Sequence, residues 1–551
     1  MSAFIVVFAF PDTDMWYLAW FGLIPLLYSL FRSRNSLFAS FLLGWLWGTL
    51  FFATTCSWLT FAPITYAGFP VFLAYFLLAI AAGIASIAIG VFAAIQAFMF
   101  RKFGAKAVFV APFVWTALDF VRLWTTGNNW NAIGYSQAFN GLIGLSKYGG
   151  VFLVTFVVLF FNASAFFYIY KILESSNTKT DENGANNEKR YVVAFLPVVF
   201  AFLIGALLVA YLFRPSSKNP FSGIDSNTFV VAVQPNVPMS GLSSWRWDEL
   251  REKQTKQARE NLITPNFGGI AKIEAEHETS GTDVNLRASG YENKLRRNFA
   301  SGTRLVVLPE SPMNFQYDLD AEFRTFINEF AKRNNVSVLF NSAEPDRMRE
   351  NGFYNSAVLI NNQGKKLFQY NKIFLLPFGE FVPLPEFLAQ YVPTMVGHFT
   401  RGTEYNVLRI GDVDAGLMIC FESHFGSLSR EFARKGADVL IEMTNDGYLG
   451  PTPVLRQHLA SAVFRAVETN RPVLRVTNVG ITTYISEKGE ILDAAPVYRT
   501  AERVWAVRKS DKAETVYVRF GEWVPVVCLI VTLALILFGI FRNRTQIRTA
   551  E

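Results

Sequence analysis

The sequence predicts a polytopic α-helical membrane domain combined with an extramembrane α/β domain. Apolar runs long enough to cross a bilayer, which takes about 20 mostly apolar residues, crowd into positions 1–213 and recur once at 522–541. Between them, residues 222–518 form a polar, domain-sized block in which strand-like and helix-like segments alternate, the pattern of an α/β domain. The composition agrees: 51% of residues are apolar and 16% aromatic, with 54 phenylalanines, more than a water-soluble surface accommodates.

Residues 1–213 hold six spans, near 14–31, 37–60, 69–100, 106–123, 149–171 and 192–213. The run at 69–100 is too long for one straight crossing, so a tilt, an overhang or a kink near Gly83 or Gly90 is expected. Residues 3–10 are apolar but too short to span, and read as a re-entrant or interfacial stub or as the remainder of a trimmed helix. The start lacks the basic region of a cleavable signal peptide. Arg32 and Arg34, then Arg101, Lys102 and Lys106, then Lys171, Lys179, Lys189 and Arg190, and finally Arg542, Arg544 and Arg548 follow alternate spans. Basic loops stay cytoplasmic. The uncharged loop at 61–68, the loop at 124–148 and the block at 222–518 therefore face outward, and 542–551 is a basic cytoplasmic tail. The net charge of +7 partly records this topology. No basic stripe with interleaved aromatics points to nucleic acid.

Within the block, strands are expected at 228–233, 304–308, 336–340, 354–360, 415–420, 439–442 and 472–477, and helices at 248–262, 320–333, 425–435 and 455–469. The stretch 265–302, low in apolar residues, reads as a mobile surface insertion. Residues 174–190 form a polar loop of the same kind. The three cysteines, Cys56, Cys420 and Cys528, are too scattered for a disulfide framework and are expected to be free thiols.

Four strand ends carry polar residues that folding alone does not require. Glu310 ends the run Leu305-Val306-Val307-Leu308-Pro309. Lys372 and Glu380 sit in an aromatic, proline-bounded loop from Tyr370 to Pro383. Cys420 ends an apolar strand at a turn into a helix, where backbone N–H groups and a helix dipole are expected to favour thiolate. Asn445-Asp446-Gly447-Tyr448 forms a rigid turn after another strand. A carboxylate, an ammonium and a thiol together can run acyl transfer. The carboxylate moves protons, the thiolate forms a thioester, and the ammonium with the backbone N–H of Phe421 stabilises the oxyanion. A pairing of Cys420 with His424 or His458 is the rival assignment. No paired Cys/His spacing suggests a metal, and no cofactor is expected.

Leu308-Pro309-Glu310, Lys372 in Tyr-Asn-Lys, and Cys420-Phe421-Glu422 resemble the Glu–Lys–Cys triad of the carbon–nitrogen hydrolase (nitrilase) superfamily, which implies an α-β-β-α sandwich. Further motifs resemble the apolipoprotein N-acyltransferase family: Leu376-Pro377-Phe378-Gly379-Glu380-Phe381-Val382-Pro383, Asn445-Asp446-Gly447-Tyr448, Gln457-His458-Leu459, Asn478-Val479-Gly480-Ile481-Thr482, Val233-Gln234-Pro235-Asn236, and Gly134-Tyr135-Ser136-Gln137 in an outward loop. That resemblance implies transfer of the sn-1 acyl chain of a phospholipid, through a cysteine thioester, to the α-amine of the diacylglyceryl-cysteine of lipoproteins, the last step of their maturation. It implies a multi-pass protein of the bacterial inner membrane with a periplasmic catalytic domain. It assigns Glu310 as general base, Lys372 as oxyanion-stabilising cation and Cys420 as nucleophile. Glu380, Glu422, Phe421, Trp247, Asn445 and Tyr448 become supporting or substrate-binding residues. The chain departs from the family where Phe421 replaces a common Tyr, Leu308 an aromatic and Tyr448 a Trp.

Phe374, Leu375, Phe378, Phe381, Leu384, Phe387 and Leu388 are candidates to line an acyl entrance or to be ordinary core. A membrane-tethered amidase or nitrilase, and a non-catalytic scaffold, are the alternative functions. The hydrolase leaves the helices ahead of the domain without a purpose, and the scaffold leaves the intact triad without one. The expected partners are a phospholipid donor, a diacylated apolipoprotein acceptor and membrane lipids, and nothing demands more than a monomer.

Overall fold

The computed structural model describes residues 1–177, 226–239, 244–267, 271, 272, 275, 283–310, 315–349, 352–382 and 399–548. The chain divides into two compact units, Met1–Arg214 with Phe520–Glu551, and Pro215–Arg519.

In the first unit, four helical stretches among the described residues are long and apolar enough to cross a membrane: Leu37–Thr55, Val71–Thr126, Gly141–Glu174 and Trp523–Phe541. They expose large apolar side chains, among them Phe72, Phe76, Ile84 and Phe538, as lipid-facing helices do. The expected span at 192–213 lies outside the described residues. The expected span at 14–31 is divided into a 3₁₀ turn, Trp16–Trp20, and a ten-residue helix, Ile24–Ser33, which is too short to cross alone. The break falls at Gly22, where an added Cβ would lie 2.6 Å from Val6 and 2.9 Å from the Leu18 carbonyl. The apolar stub is a short helix, Ser2–Val7. It is tied inward by the Ser2 hydroxyl, which donates to the Gly22 carbonyl at 2.5 Å and accepts from Trp47 Nε1 at 3.1 Å. The long run breaks at Ser86, between helices Val71–Ala85 and Ile87–Phe103. Gly83 and Gly90 are not the break. An added Cβ at Gly90 would meet the Phe41 ring at 2.7 Å, so this glycine serves close helix packing. In the Gly134–Gln137 motif, Gln137 accepts from Trp20 Nε1 at 3.2 Å and donates to the Trp16 carbonyl at 3.0 Å, fastening the broken first segment.

The second unit has twelve strands: β1 (Thr228–Gln234), β2 (Thr303–Val307), β3 (Ser337–Pro345), β4 (Phe353–Ile360), β5 (Lys366–Asn371), β6 (Leu408–Ile410), β7 (Val413–Ile419), β8 (Val439–Thr444), β9 (Val473–Thr477), β10 (Thr483–Ile485), β11 (Ile491–Leu492) and β12 (Ala501–Val507). They form two six-stranded sheets, ordered β12-β1-β2-β3-β4-β5 and β11-β10-β9-β8-β7-β6. Each has a parallel centre, β1-β2-β3 or β7-β8-β9, and antiparallel edges. The sheets meet through β1 against β9 and β4 against β7. Helix Ser244–Ile263 packs on β1 and β12, and helices Gly426–Arg434 and Val454–Thr469 pack on β7 and β9. The result is an α-β-β-α sandwich. Because β1 and β8 are buried along their whole length, they read as continuous apolar runs instead of alternating ones.

All seven expected strands are present. The reading of 265–302 as a mobile insertion is corrected over 283–301, while 268–270, 273, 274 and 276–282 lie outside the described residues. Residues Asp283–Ser301 form a helix whose Leu295 and Phe299, four residues apart, are both buried. Phe299 packs edge-on to Phe229 of β1 at 5.2 Å and to Phe267 at 5.6 Å. Two apolar residues at helical spacing are enough to anchor a polar helix.

Candidate active site

Strand β7 ends at Ile419, and Cys420 opens a short 3₁₀ turn, Cys420–His424. Its backbone is left-handed, with φ +52°, a conformation that costs a non-glycine residue about 1 kcal/mol or more. The bend turns the side chain out of the sheet, and Cys420 is half-buried while the strand residues leading to it, Ala415 to Ile419, are buried. The expectation of a resting thiolate is corrected. Burial, then the charge of Glu310, push the thiol well above the ordinary cysteine range, and the Lys372 ammonium opposes them. A turn this short carries little dipole, so desolvation prevails. The thiol is neutral at rest and needs a base.

Glu310, just past β2, is an electrostatic neighbour of Cys420, and its charge opposes ionisation of the thiol. Burial, then the Glu380 charge, raise its carboxyl above the usual range, against Lys372 and a hydrogen bond from Asn355. Lys372 follows β5 and is 1% exposed; its Nζ lies 2.9 Å and 3.0 Å from the two Glu380 oxygens and 3.7 Å from Glu310. Burial works to lower its pKa, but Glu380 and Glu310 outweigh it and hold the ammonium above the ordinary lysine range. Glu380 is itself fixed by the Leu376 N–H at 2.8 Å. Asn355 on β4 ties the carboxylates together, its Nδ2 donating to Glu310 at 3.0 Å and to Glu380 at 2.7 Å. Asn341 on β3 orients that amide by donating to Asn355 Oδ1 at 2.7 Å.

Glu422, fully buried, joins the two loops. It accepts from the Ile419 N–H at 2.8 Å at the nucleophile elbow. It also accepts from Tyr370 Oη at 2.8 Å and from the N–H groups of Ile373 and Phe374 at 2.7 and 3.1 Å beside Lys372. Burial raises its carboxyl to about 7, against these backbone donors and Lys372. Glu422→Gln places an amide NH₂ against a backbone N–H. It is expected to cost about 2 kcal/mol, read as a lowered Tm in detergent, and to slow acylation of Cys420. An unchanged Tm would show that Glu422 is not the tie.

The remaining expected residues divide. Phe421 is buried and stacks on His424 at 5.4 Å. Asn445 is buried; its Oδ1 accepts from Gly447 N and Asn478 Nδ2, both at 3.2 Å, and its Nδ2 has no partner among the described residues. Tyr448 is half-buried in the turn Asp446–Leu449. Trp247 lies in helix Ser244–Ile263, and its side chain is outside the described residues. Of the candidate acyl-entrance residues, Leu375 is core. Phe374 stacks on Phe425 at 4.0 Å, Phe381 is half-buried beneath Arg401, and Phe378 is exposed. Leu384, Phe387 and Leu388 lie outside the described residues.

The rival histidine pairings do not form. His458 Nε2 faces the Cys420 carbonyl at 3.1 Å, and its Nδ1 is engaged by Asp446 at 2.7 Å. His424, pushed well below the histidine range by burial and then by His458, is stacked between Phe421 and His458. Asn355, Glu442 and Arg475 were missed as functional candidates. The available signal was a polar or charged residue inside an apolar strand: Asn355 in β4, Glu442 in β8 and Arg475 in β9.

Residues 2–164 match the family model described as apolipoprotein N-acyltransferase N-terminal domain, and residues 282–506 match carbon–nitrogen hydrolase. Among curated proteins, the apolipoprotein N-acyltransferase of Geobacter metallireducens is 26% identical over 95% of this chain and 91% of that protein. That of Haemophilus influenzae is 25% identical over 90% and 86%, and that of Thermotoga maritima 26% over 95% and 89%. Among solved structures, an amidase of the nitrilase superfamily from Nesterenkonia AN1 is 16% identical, with a TM-score of 0.34, over 54% of this chain and 96% of that one.

Proposed function

Because the chain belongs to the apolipoprotein N-acyltransferase family, we infer that it acylates the α-amine of the N-terminal diacylglyceryl-cysteine of lipoproteins through a thioester on Cys420. The donor is a membrane phospholipid. The observation that carries the chemistry is the convergence of Glu310, Lys372 and Cys420 from three strand ends around one neutral thiol.

Glu310 takes the thiol proton, and the thiolate attacks the ester carbonyl carbon of the phospholipid. A carboxyl whose proton affinity is raised by burial is the stronger base for this transfer. The oxyanion forms near Lys372, which Glu380 keeps cationic, and near the N–H of Phe421. Collapse breaks the ester C–O bond. The lysophospholipid leaves with the proton from Glu310, and the acyl group stays on sulfur. The lipoprotein amine then attacks the thioester while Glu310 removes its proton. An amide C–N bond forms, the C–S bond breaks, and the thiolate recovers its proton from Glu310. The two half-reactions require ping-pong kinetics. The alternation of basic loops supports placement in the bacterial inner membrane with the catalytic domain outside the cytoplasm.

The test is the intact mass of the detergent-solubilised protein after incubation with phospholipid alone. The expected product carries one acyl group, removable by hydroxylamine and by a diacylated lipopeptide, and absent in Cys420→Ala. An adduct that water discharges as fast as the lipopeptide does would make the protein a membrane-tethered hydrolase instead.

A further inference from the structure

Behind the nucleophile lies a buried charged cluster that the acyl-transfer steps leave unused. Glu442 of β8 and Arg475 of β9 are partners in the sheet register. Arg475 Nη1 lies 2.5 Å from Glu442 Oε1, and its Nη2 lies 2.9 Å from Asp446 Oδ2. His458, on helix Val454–Thr469, completes the group, with Nδ1 2.7 Å from Asp446 Oδ1 and Nε2 3.3 Å from Glu442 Oε1. That same Nε2 lies 3.1 Å from the Cys420 carbonyl oxygen. All four residues are at most 2% exposed. The space is tightly filled: a Cβ at Gly480 would overlap Asp446 Oδ2.

The ring's surroundings fix its protonation. Nδ1 faces the Asp446 carboxylate, and Nε2 faces the Cys420 carbonyl and the Glu442 carboxylate, so acceptors lie against both nitrogens. A neutral imidazole has one lone pair facing outward, which here would be set against an acceptor. Only the imidazolium donates on both sides. Charge leads to the same state. Glu442 and Asp446 carry two negative charges and Arg475 one positive charge, so a protonated His458 neutralises the cluster and a neutral ring leaves a buried negative charge beside the thiol. The other titratable groups facing the ring are His424, stacked at 5.2 Å from the turn after β7, and Cys420 itself. Arg465, about two turns further along the same helix, is paired with Glu468 at 2.6 Å.

We propose that His458 is a positioning residue held as an imidazolium. It clamps the Cys420 carbonyl so that the nucleophile keeps its left-handed backbone, and it cancels the cluster's negative charge, easing loss of the thiol proton. The inference deepens the acyl-transfer reading and rests on Cys420 being its nucleophile. His458 titrates near 8, because Asp446 and Glu442 outweigh burial and Arg475. The clamp is therefore complete at neutral pH and is lost as pH rises through that value.

The chain has four histidines, so ¹⁵N-histidine labelling gives four ring systems to follow by NMR in detergent. At a pH of about 7.5, where an unperturbed histidine is mostly neutral, one ring should carry protons on both nitrogens, and its signal should be absent from His458→Gln. The second readout is alkylation of Cys420 by iodoacetamide across pH, followed by peptide mass. In His458→Gln, alkylation near neutral pH should slow about tenfold and its midpoint rise by about one unit. If His458→Gln does not fold, the wild-type protonation measurement still decides. Four neutral rings at that pH would overturn the proposal. So would a variant with the wild-type midpoint, or one slowed equally at every pH, which would mark a purely structural residue. Neither readout uses a lipid or a lipoprotein, so a failed acyl-transfer assay and a failed clamp are told apart.

Discussion

Cys420→Ala is expected to abolish acyl transfer, with a fall of at least about 10⁴-fold and no thioester adduct by intact mass. The magnitude follows from the site's division of labour. Lys372 stabilises the oxyanion and Glu310 moves protons, but neither acts on a carbonyl that no nucleophile attacks. Serine should not substitute, because an alcohol holds its proton far more tightly than a thiol, and Glu310 is already working against a thiol whose proton burial retains. The variant should keep its thermal transition, since the elbow is held by Glu422 and His458 through backbone groups that alanine preserves. A Cys420→Ala protein that still N-acylates a diacylated lipopeptide would end the thioester mechanism.

The sandwich was legible because its central strands are apolar runs bounded by turns, and the triad because each member sits where such a run stops. What stayed hidden depends on pairing across the fold. Asn355 looks like an ordinary strand residue until β4 is placed beside β5 and the Glu310 loop. Glu442 and Arg475 stand out as charges inside apolar strands, but their partnership exists only once the register of β8 and β9 sets them side by side. The thiolate expectation failed for a related reason. Strand-to-helix geometry was readable in Cys420-Phe421-Glu422, but desolvation depends on what closes over the thiol, and local sequence does not contain that. The helix at Asp283–Ser301 was missed because its apolar residues, among them Val284, Leu286, Leu295 and Phe299, are sparse within a polar stretch.

Lys372→Met should separate chemistry from stability. Lys372 Nζ lies 2.9 Å from Glu380 and 3.7 Å from Glu310, and both carboxylates are hydrogen-bonded by the same Asn355 amide. Removing one partner of a buried ion pair leaves uncompensated charge and costs about 3–5 kcal/mol, so a large fall in Tm is expected near neutral pH. The sign of its pH dependence follows from linkage. Without the cation, the folded-state carboxyl pKa values rise above their unfolded values. The folded state then binds more protons, and the stability deficit shrinks as pH falls through those raised values. Adding Glu380→Gln removes the stranded charge and should restore at least about half of the lost stability. Acylation of Cys420 should stay absent in both variants, because the double variant still lacks the cation that meets the oxyanion. Melting curves across pH, paired with adduct mass, test both parts. A single variant that melts within about 2 °C of wild type would show that Lys372 is not the counter-charge. A double variant that regains the adduct would show that oxyanion stabilisation comes from elsewhere, leaving the backbone N–H of Phe421 as the remaining donor.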